Sequence, residues 1–278
     1  MSRITACFQA LSAEGRGAFI PYLEAFDPDR VTSQALLEAM PAAGADLIEI
    51  GIPFSDPVAD GPVIQASALR GLRAGVTLAA VLEMVRQFRK NNTTTPIILM
   101  GYVNPIEIYG YDRFCCDAVK VGVDGVIVVD LPPEESGILK IPAERYGLDI
   151  IRLVTPTTTE ARLAYILTQA SGFVYYVSIA GVTGTHFADS HDLQKAISRI
   201  RTVTSLPIVI GFGVRTPQHI QEAVAIADGA VVASALLETL AETLDHNGRS
   251  TERTLPAVLE QIKTLAQAVQ KSRNKSRN

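Results

Sequence analysis

Short apolar runs alternate with amphipathic segments eight times along this chain. In the segments between the runs, apolar residues recur at helical spacing, with an N-cap signal at Thr77 and a stop signal at Gly147. Strands that are separated by helices pair in parallel through right-handed crossovers. The pattern predicts an α/β fold, a single (β/α)8 TIM barrel with an added N-terminal helix at 4–11 and extra short helices. The eight strands are predicted at 18–23, 47–51, 97–101, 125–129, 149–154, 173–178, 208–211 and 229–233.

No linker divides the chain into domains. Its 278 residues are close to the roughly 250 that one such barrel uses, and 47% of them are hydrophobic. We therefore predict one barrel domain over residues 1–270, followed by a disordered basic tail at 271–278, KSRNKSRN.

Composition argues against several classes of protein. A net charge of −4 does not favour a nucleic-acid or acidic-membrane surface. The N-terminus has no signal-peptide pattern, no apolar run is long enough to span a bilayer, and three cysteines, two of them adjacent, do not resemble a disulfide framework. We expect a cytoplasmic protein. His186, Asp189 and His191 lack a regular ligand spacing, so no metal site is predicted.

The stretch 46–61, DLIEIGIPFSDPVADG, carries the strongest chemical signal. Glu49 lies within an apolar strand, where an acid is costly unless it is paired, neutral or useful. The loop that follows carries Asp56 and Asp60. One acid in a strand and one on a mobile loop are a plausible acid–base pair.

In such barrels the active site lies at the carboxyl ends of the strands. Polar residues collect there, and a phosphate site is often built from the loops after the last two strands. GFGV after strand seven and a serine after strand eight fit that description, since glycines let backbone N–H groups approach a phosphate.

The motifs LIEIGIPFSDPVADGPVIQ, MGYVNP, GVDGVIVVDLPPEES, AGVTG and IGFGV resemble the alpha chain family of tryptophan synthase, over about residues 18–240. The resemblance implies a lyase of tryptophan biosynthesis that needs no cofactor. It would split indole-3-glycerol phosphate by a retro-aldol step into indole and D-glyceraldehyde 3-phosphate. The family passes indole to a beta chain in an αββα heterotetramer.

The resemblance also implies residue roles. Glu49 would shuttle protons with a pKa raised by burial, Asp60 would stay ionised on a more solvated loop, and Tyr175 would lie beside the bond that breaks. Thr183 would hydrogen-bond to Asp60. The implied substrate and phosphate ligands are Tyr22, Met100, Tyr102, Thr183, Gly184, Gly211, Phe212, Gly213, Ala233 and Ser234. The implied contacts with the beta chain are Asp56, Asn104, Asp130 and Pro132.

Three positions depart from the family pattern. Glu24 and Phe26 stand where Thr and Gly are usual, so that Phe26 is expected to narrow the indole end or to alter the loop. Ala233 replaces a glycine and is expected to weaken phosphate binding at most. Away from the site, Arg70 and Arg73 are expected on a solvated helix face.

Three other functions stay open from the sequence. A free-standing lyase that releases indole would use the same site. A different phosphate-binding barrel, such as an isomerase, is disfavoured by the motif around Glu49. A non-catalytic activator subunit is disfavoured by the presence of both Glu49 and Asp60, although the departures at positions 24, 26 and 233 keep it open.

Overall fold

The computed structural model describes residues 2–178, 190–211 and 213–275. Its strands are β1 (Ala18–Glu24), β2 (Ile48–Gly51), β3 (Ile97–Gly101), β4 (Gly125–Val128), β5 (Asp149–Ile150), β6 (Arg152–Val154), β7 (Val174–Val177), β8 (Ile208–Gly211) and β9 (Gly229–Val232). Its helices are α1 (Arg3–Ala13), α2 (Arg30–Ala39), α3 (Pro62–Arg73), α4 (Leu78–Arg89), α5 (Val103–Tyr109), α6 (Tyr111–Val121), α7 (Gly137–Tyr146), α8 (Glu160–Leu167), α9 (Ser190–Arg201), α10 (Pro217–Ile226), α11 (Ser234–Glu242) and α12 (Thr254–Lys275).

All the strand pairs are parallel, and their order is β5-β4-β3-β2-β1-β9-β8-β7-β6. The two ends of this order are consecutive pieces of the predicted fifth strand, interrupted at Ile151. The first piece pairs with β4 and the second with β7, and the Ile151 N–H donates to the Val126 carbonyl at 3.0 Å. The (β/α)8 barrel prediction is confirmed.

Alternation along the strands separates two apolar layers. One side of each strand packs under the helices, and the other fills the barrel. Helix α1 lies against the amino-terminal end of the barrel, where Ile4, Phe8 and Leu11 join the inner layer and the Phe8 and Phe173 rings are 5.8 Å apart between centroids. Because α1 covers the amino-terminal end, a substrate is expected to enter at the carboxyl end of the strands.

Three aspartates reinforce the amino-terminal end. Asp46, Asp124 and Asp228 each precede a strand, and each accepts from a backbone N–H of the neighbouring strand. Those donors are Phe19, Ile97 and Ile208, at 2.9, 2.8 and 2.8 Å. Each aspartate also pairs with an arginine, at 2.7, 2.8 and 3.0 Å, from Arg16, Arg89 and Arg201 respectively. These contacts link neighbouring strands on the side away from the acids Glu49 and Asp60.

Two segments differ from the sequence expectation. Residues 103–109, predicted as loop, form α5, because the Asp130 carboxylate accepts from the Val103 N–H at 2.8 Å and completes its first turn. Helix α12 continues through part of the predicted disordered tail to Lys275, since no glycine or proline stops it there. Among the described helices, none combines the length and low charge needed to cross a bilayer.

Arg70, which the sequence predicts on a solvated helix face, instead forms a partly buried ion pair. Its guanidinium binds the fully buried Asp27 carboxylate with Nε and Nη2 at 2.6 and 2.7 Å, and Ser67 donates to the same carboxylate. The sequence shows only an arginine on a helix, whereas the fold brings the loop after β1 against it. The pair fixes α3, which directly follows the loop that carries Asp60.

We expect Arg70→Met to lower the free energy of unfolding by about 3 kcal/mol, because it leaves the Asp27 carboxylate buried without its countercharge. Urea denaturation measures this. Arg73→Met, an exposed arginine on the same helix, is the matched control and should stay within about 0.5 kcal/mol of wild type. Equal effects of the two substitutions would contradict this account.

Candidate active site

Glu49 lies inside the barrel. It pairs in register with Tyr22 on one side and Ile98 on the other, and only 1% of its surface is exposed. Its Oε2 has no hydrogen-bond partner among the described residues. Burial, and after it the charge of Asp60, raises the pKa of Glu49 to about 8. This carboxyl can therefore hold or release a proton near neutral pH.

Asp60 is buried, at 7% exposure, which corrects the expectation of a more solvated loop. Tyr102, at the end of β3, donates its hydroxyl to Asp60 Oδ2 at 2.8 Å and accepts from the Ala59 N–H at 3.0 Å. Burial raises the pKa of Asp60, and the hydrogen bond from Tyr102 opposes that rise. The Tyr102 side chain thus ties the loop to the end of β3.

Tyr175 is buried on β7, and its ring lies over Gly211, where a Cβ would overlap the hydroxyl. Burial raises the pKa of Tyr175 well above its usual range, and the charges of Glu49 and Asp60 raise it further. Tyr175 therefore lies within electrostatic reach of both acids.

A small cavity of about 10 Å³, the size of one water molecule, opens at the mouth of the barrel. Four of the predicted site residues line it: Tyr22, Asp60, Met100 and Tyr102. Glu49 and Tyr175 are not among its lining residues. Since Glu49 is opposite Tyr22 in register, its carboxyl belongs to the barrel interior beside this cavity.

Glu24, which the sequence predicts as a third acid near Glu49 at the mouth of the site, also lines the cavity. It is 3% exposed, and the Tyr22 hydroxyl donates to its Oε2. Phe26, in contrast, does not narrow the cavity: it packs in the outer layer. Its backbone has φ of 65°, a conformation that favours the family's glycine, and its N–H donates to Ser33 Oγ at 3.0 Å.

The expected phosphate end is formed by the segments after β8 and β9. Gly213 has φ of 73°, and its carbonyl lies 3.1 Å from His219 Nδ1. Ser234 is the first residue of α11, and Arg215 joins the two segments through an ion pair with Glu238. Thr183, Gly184 and Phe212 lie outside the described residues, as do His186 and Asp189.

Ala233 accommodates its methyl group without backbone strain, since its φ is −117°. The described residues contain no cluster of His, Cys, Asp or Glu that could hold a metal ion.

The expected interface residues are exposed at the same end of the barrel. Asp56 follows β2, Asn104 lies in the first turn of α5, and Asp130 and Pro132 follow β4. Asp130 also has an internal role, since its carboxylate accepts from the α5 backbone.

A family model described as "Tryptophan synthase alpha chain" matches residues 8–270. The chain belongs to the tryptophan synthase alpha chain family. It is 62% identical to the alpha chain of Gluconobacter oxydans over 269 residues, covering 97% of this chain and 99% of that one. The alpha chain of Gluconacetobacter diazotrophicus is 60% identical over 273 residues, covering 98% and 100%.

Solved structures of the family share the fold. Tryptophan synthase subunit alpha of Legionella pneumophila superposes with a TM-score of 0.89 at 38% identity, covering 98% of this chain and 99% of that one. A chain of Mycobacterium tuberculosis tryptophan synthase gives 0.86 at 34%, with 96% and 98% covered.

We expect the free energy of unfolding of Glu49→Gln to rise relative to that of wild type as the pH rises from 5 to 8. A carboxyl whose pKa is raised on folding holds its proton longer in the folded state, so its contribution to stability falls as pH rises from 4.5 towards 8. Glutamine has no such titration. The variant's stability relative to wild type should rise by on the order of 2–4 kcal/mol between pH 5 and pH 8.

Urea unfolding of both proteins at the two pH values measures this difference, and the exposed Glu107→Gln controls for loss of a surface carboxyl. A wild-type-to-variant difference that is the same at both pH values would contradict the raised pKa.

Proposed function

We propose that this chain cleaves indole-3-glycerol phosphate to indole and D-glyceraldehyde 3-phosphate, as a lyase of tryptophan biosynthesis. The observation that carries the proposal is Glu49, a buried carboxyl with a pKa of about 8 and an oxygen unpartnered among the described residues. Its proton affinity suits transfer in both directions near neutral pH. Family membership supplies the substrate class.

The reaction breaks the bond between the indole ring carbon and the hydroxyl-bearing carbon of the glycerol phosphate. Protonated Glu49 gives its proton to the ring carbon, which places positive charge on the ring nitrogen. The resulting carboxylate takes the proton of the side-chain hydroxyl. The carbon–carbon electron pair then returns to the ring, and neutral indole and the aldehyde form.

Asp60 is assigned to the positive charge that develops on the ring nitrogen. As a carboxylate it accepts from the indole N–H, and the Tyr102 hydrogen bond favours that charged form. The charges of Glu49 and Asp60 both raise the pKa of Tyr175, which supports a role for this tyrosine beside the breaking bond.

The two halves of the substrate are assigned to different places. The indole ring is assigned to the cavity lined by Tyr22, Met100 and Tyr102, which has to widen from about 10 Å³ to admit it. The phosphate is assigned to the glycine segment after β8 and to the N-terminus of α11, where backbone N–H groups and the helix dipole favour an anion. The proposed phosphate ligands are Gly184, Gly213 and Ser234, and the other proposed substrate contacts at this end are Thr183, Gly211, Phe212 and Ala233.

We expect Glu49→Gln and Asp60→Asn each to lower kcat of indole release by about 10²–10⁴-fold, because each removes a group that moves or balances the reacting proton. Steady-state assays of the isolated chain measure this. Asp56→Asn, an exposed acid on the same loop, is the matched control and should keep the wild-type rate.

Substantial lyase activity in both variants would refute the two assignments. If wild type does not cleave the substrate but accelerates a beta chain, the activator alternative holds instead. A fast isolated chain that gains nothing from a beta chain would indicate a free-standing lyase.

The partner proposed for this chain is a tryptophan synthase beta chain in an αββα complex. Two apolar side chains at the barrel mouth, one on the loop after β2 and one on α5, support a contact there: Val58 is 77% exposed and Ile108 is 80% exposed. They lie on the same segments as the expected interface residues Asp56 and Asn104, and Pro132 follows the next strand. Exposed apolar groups beside polar ones are typical of protein contact surfaces.

We expect Ile108→Asp to weaken beta-chain binding by at least about tenfold, since it places a charge in the apolar centre of the contact. Isothermal titration with a purified beta chain measures the dissociation constant. Val203→Asp, which follows α9 at the amino-terminal end of the barrel, is the control and should bind as wild type does. Equal binding by both variants would place the partner elsewhere.

A further inference from the structure

Glu24 is a second fully buried acid at the barrel mouth. It lies two residues after Tyr22 on β1, so both side chains point to the same side of the strand. The Tyr22 hydroxyl donates to Glu24 Oε2, and the two residues are 4% and 3% exposed. The catalytic proposal uses neither the carboxyl nor this hydrogen bond.

The pair lies against the strand that carries Glu49. In the β1–β2 register Tyr22 is opposite Glu49, and Glu24 is opposite Gly51. A Cβ at Gly51 would overlap the Tyr22 hydroxyl and press on Glu24 Oε2. The absence of a side chain at Gly51 therefore makes room for the hydrogen bond, and the joined side chains form the barrel wall next to Glu49.

The same pair lines the cavity that also contains Asp60 and Tyr102. Burial raises the pKa of Glu24 well above its usual range, and the charges of Asp60 and Asp27 add to this, whereas the Tyr22 hydrogen bond and Arg70 oppose it.

We propose that Glu24 is a positioning residue for the indole half of the substrate, which it serves by fixing the Tyr22 ring as a wall of the cavity beside Glu49. This inference rests on the proposed function. Without Glu24, the Tyr22 hydroxyl loses its partner in a buried position, and the ring no longer has one fixed place.

The experiment compares four variants with wild type: Glu24→Thr, Glu24→Gln, Tyr22→Phe and the double variant Tyr22→Phe/Glu24→Thr. The chain contains no tryptophan, so the fluorescence of added indole is read without protein tryptophan background. Binding of D-glyceraldehyde 3-phosphate, by calorimetry, reports on the other half of the site. Substrate KM and kcat are measured alongside.

Glu24→Thr should weaken indole binding and raise KM by about three- to tenfold, the effect of one lost hydrogen bond, while kcat changes less. Glu24→Gln keeps an acceptor for the tyrosine hydroxyl and should lose less. The double variant should bind indole better than Glu24→Thr, because phenylalanine has no hydroxyl that needs a partner. The loss of indole affinity in the double variant should therefore be smaller than the sum of the losses in the two single variants. D-glyceraldehyde 3-phosphate should bind equally to all.

Tyr176→Phe, a buried strand tyrosine that faces the outer layer, is the matched control and should leave indole binding unchanged. Wild-type indole affinity in Glu24→Thr, or strictly additive single effects, would overturn the inference. So would parallel losses for indole and D-glyceraldehyde 3-phosphate, which indicate general distortion. If Glu24→Thr does not fold, Glu24→Gln and Tyr22→Phe carry the test, and wild-type indole affinity in both would overturn the inference.

A wild-type chain that neither binds indole nor cleaves the substrate would overturn the proposed function, and the inference with it. Normal lyase activity with no effect of Glu24 would overturn the inference alone.

Discussion

The site depends on the burial of its acidic side chains, which removes them from water. Glu49, Asp60 and Glu24 are all less than a tenth exposed, and burial is the largest cause of the raised pKa of each. Glu49, whose pKa is raised to about 8, keeps its proton at neutral pH and so has one to give, which an exposed carboxylate does not. Burying these acids lowers the stability of the fold. The apolar layers and paired strands of the barrel offset that loss and hold the acids in place.

The amino-terminal end of the barrel contributes to stability, whereas the carboxyl end carries the reacting acids. At the amino-terminal end, Asp46, Asp124 and Asp228 accept from backbone N–H groups and pair with arginines, so that each of these three charges has partners on neighbouring elements. At the carboxyl end, Glu49 keeps an oxygen without a partner among the described residues. An unsatisfied buried oxygen is unfavourable for stability and useful for a group that must exchange protons.

Sequence reasoning predicted the strands, the closure of the barrel and the position of Glu49 within a strand, because these follow from alternation and from the spacing of local signals. It failed where a side chain depends on a distant partner. The burial of Asp60 needs Tyr102 from the next strand, and the pairing of Arg70 needs the loop after β1. The strand-leading aspartates did leave a signal, since GAD, GVD and IAD each precede an apolar run.

The carboxylate of Asp130 connects the rim of the barrel with its interior. It caps the backbone of Val103, the residue next to Tyr102, and Tyr102 in turn holds both the Asp60 carboxylate and the backbone of its loop. One hydrogen bond and one peptide link thus separate an exposed rim residue from the tyrosine that orients a buried acid. Any molecule that draws Asp130 away from α5 would loosen the start of that helix, and the disturbance would reach Asp60 without contact with the substrate.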